Sequence, residues 1–167
     1  MNNEFSVNSG EVEACHGEGI LRAGAIGSCV VVTAHDPGAR VGGMAHVMLP
    51  GGSRDPDSSD RTRYAKEAIQ ELMRKMMAQG ACEARLRVCL VGGGNVLGPE
   101  HYSPGPDIVR SVAEILGRMH LEPVATEVGG GQRRSCLLDV ASGRVTYTVG
   151  DSRSMTLWDS GPEESNS

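Results

Sequence analysis

The chain has 167 residues, 39% of them hydrophobic and 22% charged, with a formal net charge of -5. That length supports one domain with a sizeable core, and the acidic balance argues against a nucleic-acid footprint or attraction to an anionic membrane surface. No apolar run approaches the roughly 18 residues that span a bilayer, so no membrane insertion is expected, and residues 1–4 lack the basic and apolar regions of a signal peptide, which reads as a cytoplasmic location.

Residues 1–16 are polar and weakly patterned, and are expected to be a poorly ordered N-terminal segment. Ile20-Leu21 reads as part of a short strand. Residues 28–35 are apolar on both faces and read as a buried strand. The turn signal Asp36-Pro37-Gly38-Ala39 leads to a returning strand over 40–49, so 28–49 reads as a hairpin. Residues 50–60 form a polar loop, and loops of that length tend to be functional or mobile. A helix over 62–79 carries Ala65, Ile69, Leu72, Met73, Met76 and Met77 at helical spacing and stops at Gly80. A strand over 85–91 runs into the glycine stretch 92–98. The second helix, 106–119, begins with Pro106 and Asp107 and has Ile108, Val112, Ile115, Leu116 and Met119 as its stripe. Strands succeed it at 123–128, 135–140, 144–149 and 155–158, with Ser142-Gly143 as a hairpin turn. Residues 17–158 read as one domain, and 159–167 as a disordered tail. With 23 glycines and only 3% aromatics, the core is built from Val, Leu, Ile, Met and Ala. The element order points to an α+β sandwich rather than a doubly wound fold.

The glycine stretch is not a dinucleotide fingerprint, because Pro99 to Pro104 stand where a helix must open, and no Gly-Lys-Ser/Thr is present. No cofactor is expected. His35, His46 and His101 have no ligand spacing, so no metal site is expected either. Gly129-Gly130-Gly131-Gln132-Arg133-Arg134 reads either as a surface turn or as a cleft border in which Arg134 holds backbone carbonyls or a substrate. Cysteines 15, 29, 82, 89 and 136 are odd in number and lack Cys-x-x-Cys spacing, which excludes a disulfide scaffold. Cys89 and Cys136 sit among Val and Leu as small core residues, and Cys15 is expected to be exposed.

Cys29 is different. Gly27 and Ser28 present it at a strand start, where backbone N–H groups can hold an oxyanion, and His46 lies in the returning strand between small or flexible neighbours. A thiol beside an imidazole is the minimum apparatus for acyl transfer by a cysteine nucleophile. Either His46 takes the thiol proton during attack or the two rest as an ion pair. The imidazole and the N–H-rich strand start are expected to lower the thiol pKa below its free value of ~8.5 and to make Cys29 the fastest-alkylated of the five cysteines at neutral pH.

These stretches resemble the CheD family of chemoreceptor glutamine deamidases. The resemblance rests on Ile26-Gly27-Ser28-Cys29-Val30, on Asp36-Pro37, and on Gly42-Gly43-Met44-Ala45-His46-Val47-Met48-Leu49-Pro50. Arg63-Tyr64-Ala65, Gly92-Gly93-Gly94, Gly129-Gly130 and Arg134-Ser135 extend it. It implies a β-sandwich with flanking helices, similar to cytotoxic-necrotizing-factor-like cysteine hydrolases. It implies Cys29 as nucleophile, His46 as base, and hydrolysis of receptor glutamine amides to glutamate. The implied partners are methyl-accepting chemoreceptors and a CheC-like phosphatase. Two positions depart from the family pattern. Its usual third residue, a threonine, is Ala23 here, and Ser103-Pro104-Gly105-Pro106-Asp107 replaces a run that usually carries Asn. Ala23 leaves a rival reading open, a non-catalytic adaptor that binds receptor helices or a CheC-like protein.

Overall fold

The computed structural model describes residues 3–159. Its strands are β1 (Glu4–Ser6), β2 (Val12–His16), β3 (Ile20–Ile26), β4 (Val30–Asp36), β5 (Val41–Val47), β6 (Arg87–Gly92), β7 (Ala125–Val128), β8 (Arg134–Asp139), β9 (Val145–Val149) and β10 (Met155–Trp158). Two helices, α1 (Ala65–Ala78) and α2 (Gly105–Arg118), lie on either side of β6 in the chain. The strands form two five-stranded sheets, ordered β1-β3-β8-β9-β10 and β2-β5-β4-β6-β7. The class is therefore α+β. Pairing is antiparallel except β1 with β3 and β6 with β7.

Alternation along the strands builds two cores. Leu21, Ala23, Ile26, Cys136 and Leu138 of the first sheet meet Val31, Met44, Cys89 and Val91 of the second. The opposite face of the second sheet, with Val30, Val32, Ala45, Val47 and Leu90, receives Ile69, Leu72 and Met76 of α1 and Ile108, Val112 and Leu116 of α2. The second sheet is thus buried on both faces, which is why β4 and β5 read as continuous apolar runs. Gly42 and Gly43 make this possible in β5. A Cβ on Gly42 would meet Leu138 of the facing sheet and Val140 just past the end of β8, and one on Gly43 would meet Leu72 and Met76 of α1. Each fully buried Leu or Ile here contributes roughly 1.5–3 kcal/mol.

The turn after β4 is anchored through Asp36, which is fully buried. Burial alone would raise its carboxyl, but hydrogen bonds from Arg85 and from the Cys82 and Ala39 backbone N–H groups hold it at about 2.

The N-terminal segment differs most from expectation. Residues 1–16, expected to be poorly ordered, carry β1 and β2 over their described part. All five residues of β2 pair with β5, from Val12 opposite Ala45 to His16 opposite Val41. Val7 and Val12 are buried, and so is Cys15 rather than exposed. The segment has too few apolar residues to declare a strand by itself, and its order comes from a partner strand distant in the chain. At the other end, Asp159 pairs with Arg144. The remainder of the expected tail, 160–167, lies outside the described residues.

Candidate active site

The nucleophile candidate sits where three backbone segments converge. β3 carries a register irregularity between Ala23 and Ile26, and Ala25 there takes a positive φ of 51°. Such bulges bend a strand and re-aim the residues beyond them. Here the chain passes into a bend at Gly27 and Ser28 and reaches Cys29 immediately before β4. The end of β6 supports this bend from beneath. Gly93 N–H donates to the Cys29 carbonyl at 2.7 Å, and Gly94 N–H to the Gly27 carbonyl at 3.0 Å. Arg134 braces the same region, donating to the Gly129 carbonyl at 2.6 Å and the Gly92 carbonyl at 3.3 Å while it pairs with Glu127. Of the two readings of Arg134, the one that has it holding backbone carbonyls is correct. The 92–94 glycines are therefore the floor of the nucleophile bend.

Gly92 is the tightest point. Its φ is 121°, and a Cβ built there would lie 2.2 Å from the Cys29 carbonyl oxygen and 2.7 Å from an Ile26 methyl. Backbone cannot yield as a flexible side chain can. Gly92→Ala is expected to displace the Cys29 bend and lower the rate of any Cys29-dependent reaction by about 10²-fold or more. Rate measurement alongside thermal unfolding checks this. A variant of wild-type activity would show that the bend tolerates movement.

His46 lies in β5 and is 3% exposed. It is paired with Val31, and Val30 with Val47, so the register continued one step brings Cys29 opposite Met48. Cys29 and His46 therefore occupy the same face of the sheet on adjacent backbone segments, diagonally related, at the edge of the inter-sheet core. His46 Nδ1 is 2.9 Å from the Val7 carbonyl oxygen. A carbonyl only accepts, so Nδ1 carries the proton and Nε2 keeps its lone pair. The base nitrogen is thereby defined by a residue that the sequence did not mark.

The electrostatics favour a neutral pair. Burial pushes the Cys29 thiol above its ordinary value, opposed by hydrogen bonds from the Ser9 hydroxyl and from the Cys29 N–H. Burial pushes His46 below its ordinary value, against the Val7 carbonyl and the charge of Glu11. A low thiol pKa from a resting ion pair is therefore not found. Desolvation disfavours both charges, and of the two alternatives the structure favours proton transfer during attack. Burial also raises the other core cysteines, Cys15, Cys89 to about 11, and Cys136 higher still.

Ala23 points its methyl group into the inter-sheet core and is 2% exposed, so it supplies no hydroxyl. Ser28 and Gly27 form the bend and place backbone beside the sulfur. Among the described residues, no group of three or more His, Cys, Asp or Glu is placed to hold a metal ion. Two contributors escape a reading of the sequence, Val7 and Ser9, because both belong to the segment expected to be poorly ordered. The available signal is Val7 before the turn former Ser9-Gly10 and then the alternating residues of β2.

Beyond the loop ends, Leu97 and Tyr102 are 73% and 81% exposed on the segment that joins the glycine floor to α2. No helix among the described residues is long and apolar enough to cross a membrane.

A family model described as CheD chemotactic sensory transduction matches residues 48–149. The chain is also similar to proteins named as probable chemoreceptor glutamine deamidase CheD. The one from Chlorobium luteolum is 37% identical over 151 residues, which cover 90% of this chain and 75% of that one. The one from Desulfitobacterium hafniense is 31% identical over 147 residues, 86% of this chain and 91% of that one. The one from Pyrococcus abyssi is 29% identical over 148 residues, 87% and 91% of the two chains. The family-model match begins after His46, whereas the Chlorobium alignment leaves out too few residues to miss positions 29 and 46.

Proposed function

Because this chain belongs to the CheD family of chemotactic sensory transduction proteins, we propose that it is a chemoreceptor glutamine deamidase that uses Cys29 as nucleophile and His46 as base. The observation that carries the residue assignment is the shared sheet face of Cys29 and His46, together with the Val7 carbonyl that leaves Nε2 unprotonated. As the Cys29 sulfur attacks the glutamine side-chain carbonyl carbon, its proton passes to His46 Nε2. The Cys29 N–H, with the Ser28 and Gly27 backbone beside it, faces the developing oxyanion. His46 returns the proton to the departing nitrogen, the C–N bond breaks, and ammonia leaves behind a thioester. Water, deprotonated by His46, then releases glutamate and restores the thiol. A glutamate methyl ester presents the same carbonyl and is an expected second substrate.

The target glutamine stands on a helical rod, which no deep closed pocket admits. Loops 51–60 and 92–105 form the receptor face, with Leu97 and Tyr102 as its apolar contacts. A CheC-like phosphatase is the expected protein partner, and the sandwich follows the arrangement of cytotoxic-necrotizing-factor-like cysteine hydrolases. Intact-mass analysis of a receptor cytoplasmic fragment incubated with the protein tests the reading, since each deamidation adds about one dalton as NH₂ becomes OH. An unchanged receptor mass with ordered, folded protein would sink it.

The pH dependence comes from the direction of the shifts. His46 is lowered, so it stays neutral below the ordinary histidine midpoint, and the acid limb of deamidation is expected on the acid side of pH 6.5. Cys29 is raised, so its alkylation by iodoacetamide is expected to keep rising through pH 9 without a plateau near neutrality. Peptide mapping separates its label from that on exposed Cys82. A labelling plateau already reached at pH 6.5 would instead establish a resting ion pair.

A further inference from the structure

Arg134 reaches the nucleophile bend through a single peptide group. It is 6% exposed and stands opposite Ile26 in the register of β8 with β3. Ile26 is the last residue before the bend at Gly27 and Ser28. Arg134 Nη1 donates to the Gly92 carbonyl at 3.3 Å, and Gly129 N–H donates to the same oxygen at 2.9 Å. That carbonyl belongs to the peptide whose N–H, on Gly93, donates to the Cys29 carbonyl at 2.7 Å. This peptide is trans, and a trans peptide is planar with its C=O and N–H on opposite sides. Fixing the oxygen therefore fixes the direction of the hydrogen. The constraint continues into the bend, where Gly94 N–H holds the Gly27 carbonyl at 3.0 Å. Between the two held carbonyls lies the Ser28–Cys29 peptide, the one that carries the Cys29 N–H. With the planes on both sides fixed, little rotation is left to it.

Burying this arginine carries a cost that packing does not require. Its Nε has no hydrogen-bond partner among the described residues. Nη1 is divided between the Gly92 carbonyl and, at 2.6 Å, the Gly129 carbonyl. Nη2 reaches Glu127 at 3.4 Å, and that carboxylate is partly exposed. The other inward positions of β8 hold Cys136 and Leu138, and an apolar side chain would fill this one without burying a charge.

We infer that Arg134 is a positioning residue of this site: through the Gly92–Gly93 peptide it fixes the direction of the Cys29 N–H that meets the forming oxyanion. The inference rests on the reading of Cys29 as nucleophile. Arg134 acts through the backbone, and no bond of its own is made or broken. An oxyanion donor is effective when it is aimed at the place the oxygen takes after attack, and a misplacement near 1 Å costs about 10²-fold. The guanidinium charge also polarises the Gly92–Gly93 amide, which strengthens the Gly93 N–H as a donor to the Cys29 carbonyl.

The test compares two reactions of Cys29 that differ in whether an oxyanion forms. In acylation by p-nitrophenyl acetate the sulfur bonds to the acetyl carbon, the thiol proton passes to His46, and the carbonyl oxygen becomes anionic before p-nitrophenolate leaves. In alkylation by iodoacetamide the sulfur displaces iodide from a saturated carbon, and no oxyanion forms. Neither reaction needs a receptor. Arg134→Met is expected to slow Cys29 acylation by about tenfold or more while alkylation stays within about twofold of wild type. Arg134→Lys keeps a buried cation that can reach one carbonyl, and is expected to fall between, about threefold slower in acylation. Peptide mapping separates Cys29 from exposed Cys82, and shows that Cys136 of the same strand as Arg134, 1% exposed, stays unlabelled. Equal acylation in wild type and Arg134→Met would overturn the inference. An equal slowing of both reactions, or labelling of Cys136, would overturn it too, by assigning Arg134 to the fold alone. If Arg134→Met does not fold, Arg134→Lys decides, and wild-type acylation in that variant overturns the inference. A wild type whose Cys29 resists acylation would remove the nucleophile and the inference together. Acylation that depends on Arg134, in a protein that leaves receptor mass unchanged, would sink the deamidase reading and support the role of Arg134.

Discussion

Cys29→Ala is expected to reduce receptor deamidation to the uncatalysed background, a loss on the order of 10⁴-fold or more, with the fold intact. Cys29 is half-buried and packs at the edge of the inter-sheet core without filling its centre. The substitution removes one sulfur atom next to solvent and leaves the Cys29 carbonyl bonded to Gly93 N–H, so the bend keeps its support. The cost in stability should stay below about 1 kcal/mol, a shift of a few degrees in Tm. Ammonia release and circular dichroism on the same preparation give both readings. Residual activity within tenfold of wild type would remove Cys29 from the mechanism. If alanine instead unfolds the chain, Cys29→Ser preserves the volume at that position, and its rate decides between nucleophile and packing residue.

His46→Asn is expected to lower the deamidation rate by about 10²–10⁴-fold, the range lost when a general base is removed. Alanine is a less informative choice, because it would also delete the hydrogen bond to the Val7 carbonyl and loosen the turn that carries Ser9. Asparagine keeps an N–H donor near the Nδ1 position and lacks the Nε2 lone pair, so it separates the two roles of the ring. The variant should also lose the acid limb of the pH profile, since the group that titrates there is gone. Retention of that limb, or a loss of less than tenfold, would assign the base to another residue. An equal loss in Asn and Ala variants with a disordered N-terminal segment would mean that His46 acts through packing.

Much of this protein is legible in its sequence for a physical reason. The helical period of Ile69, Leu72, Met73 and Met76 and the continuous apolar runs around Val32 and Ala45 report burial directly, and both helices lie within three residues of the positions that period assigns. The placement of Cys29 and His46 on one face is also legible, because a hairpin with a short turn fixes its own register and so fixes which side chains share a face. The resemblance carried by those same residues points to the family that the comparisons establish.

Three things required the tertiary structure. The first is the N-terminal segment: β2 is ordered by pairing with β5, and a polar strand whose only strong partner is remote leaves almost no local trace. The second is the function of the 92–94 glycines, which show in sequence only as a run that fails to match a phosphate loop. Their purpose is the close approach of β6 to the Cys29 carbonyl, and such approaches appear only when two distant segments are brought together. The third is the charge state of the site. Sequence proximity of a thiol and an imidazole reads as mutual stabilisation of charge, whereas the fold buries both and pushes each toward its neutral form. Residue types and their spacing determined which groups are present and on which face. Desolvation, hydrogen-bond supply and the placement of Val7 and Ser9 were decided by packing between elements far apart in the chain, because each depends on what surrounds a group in space.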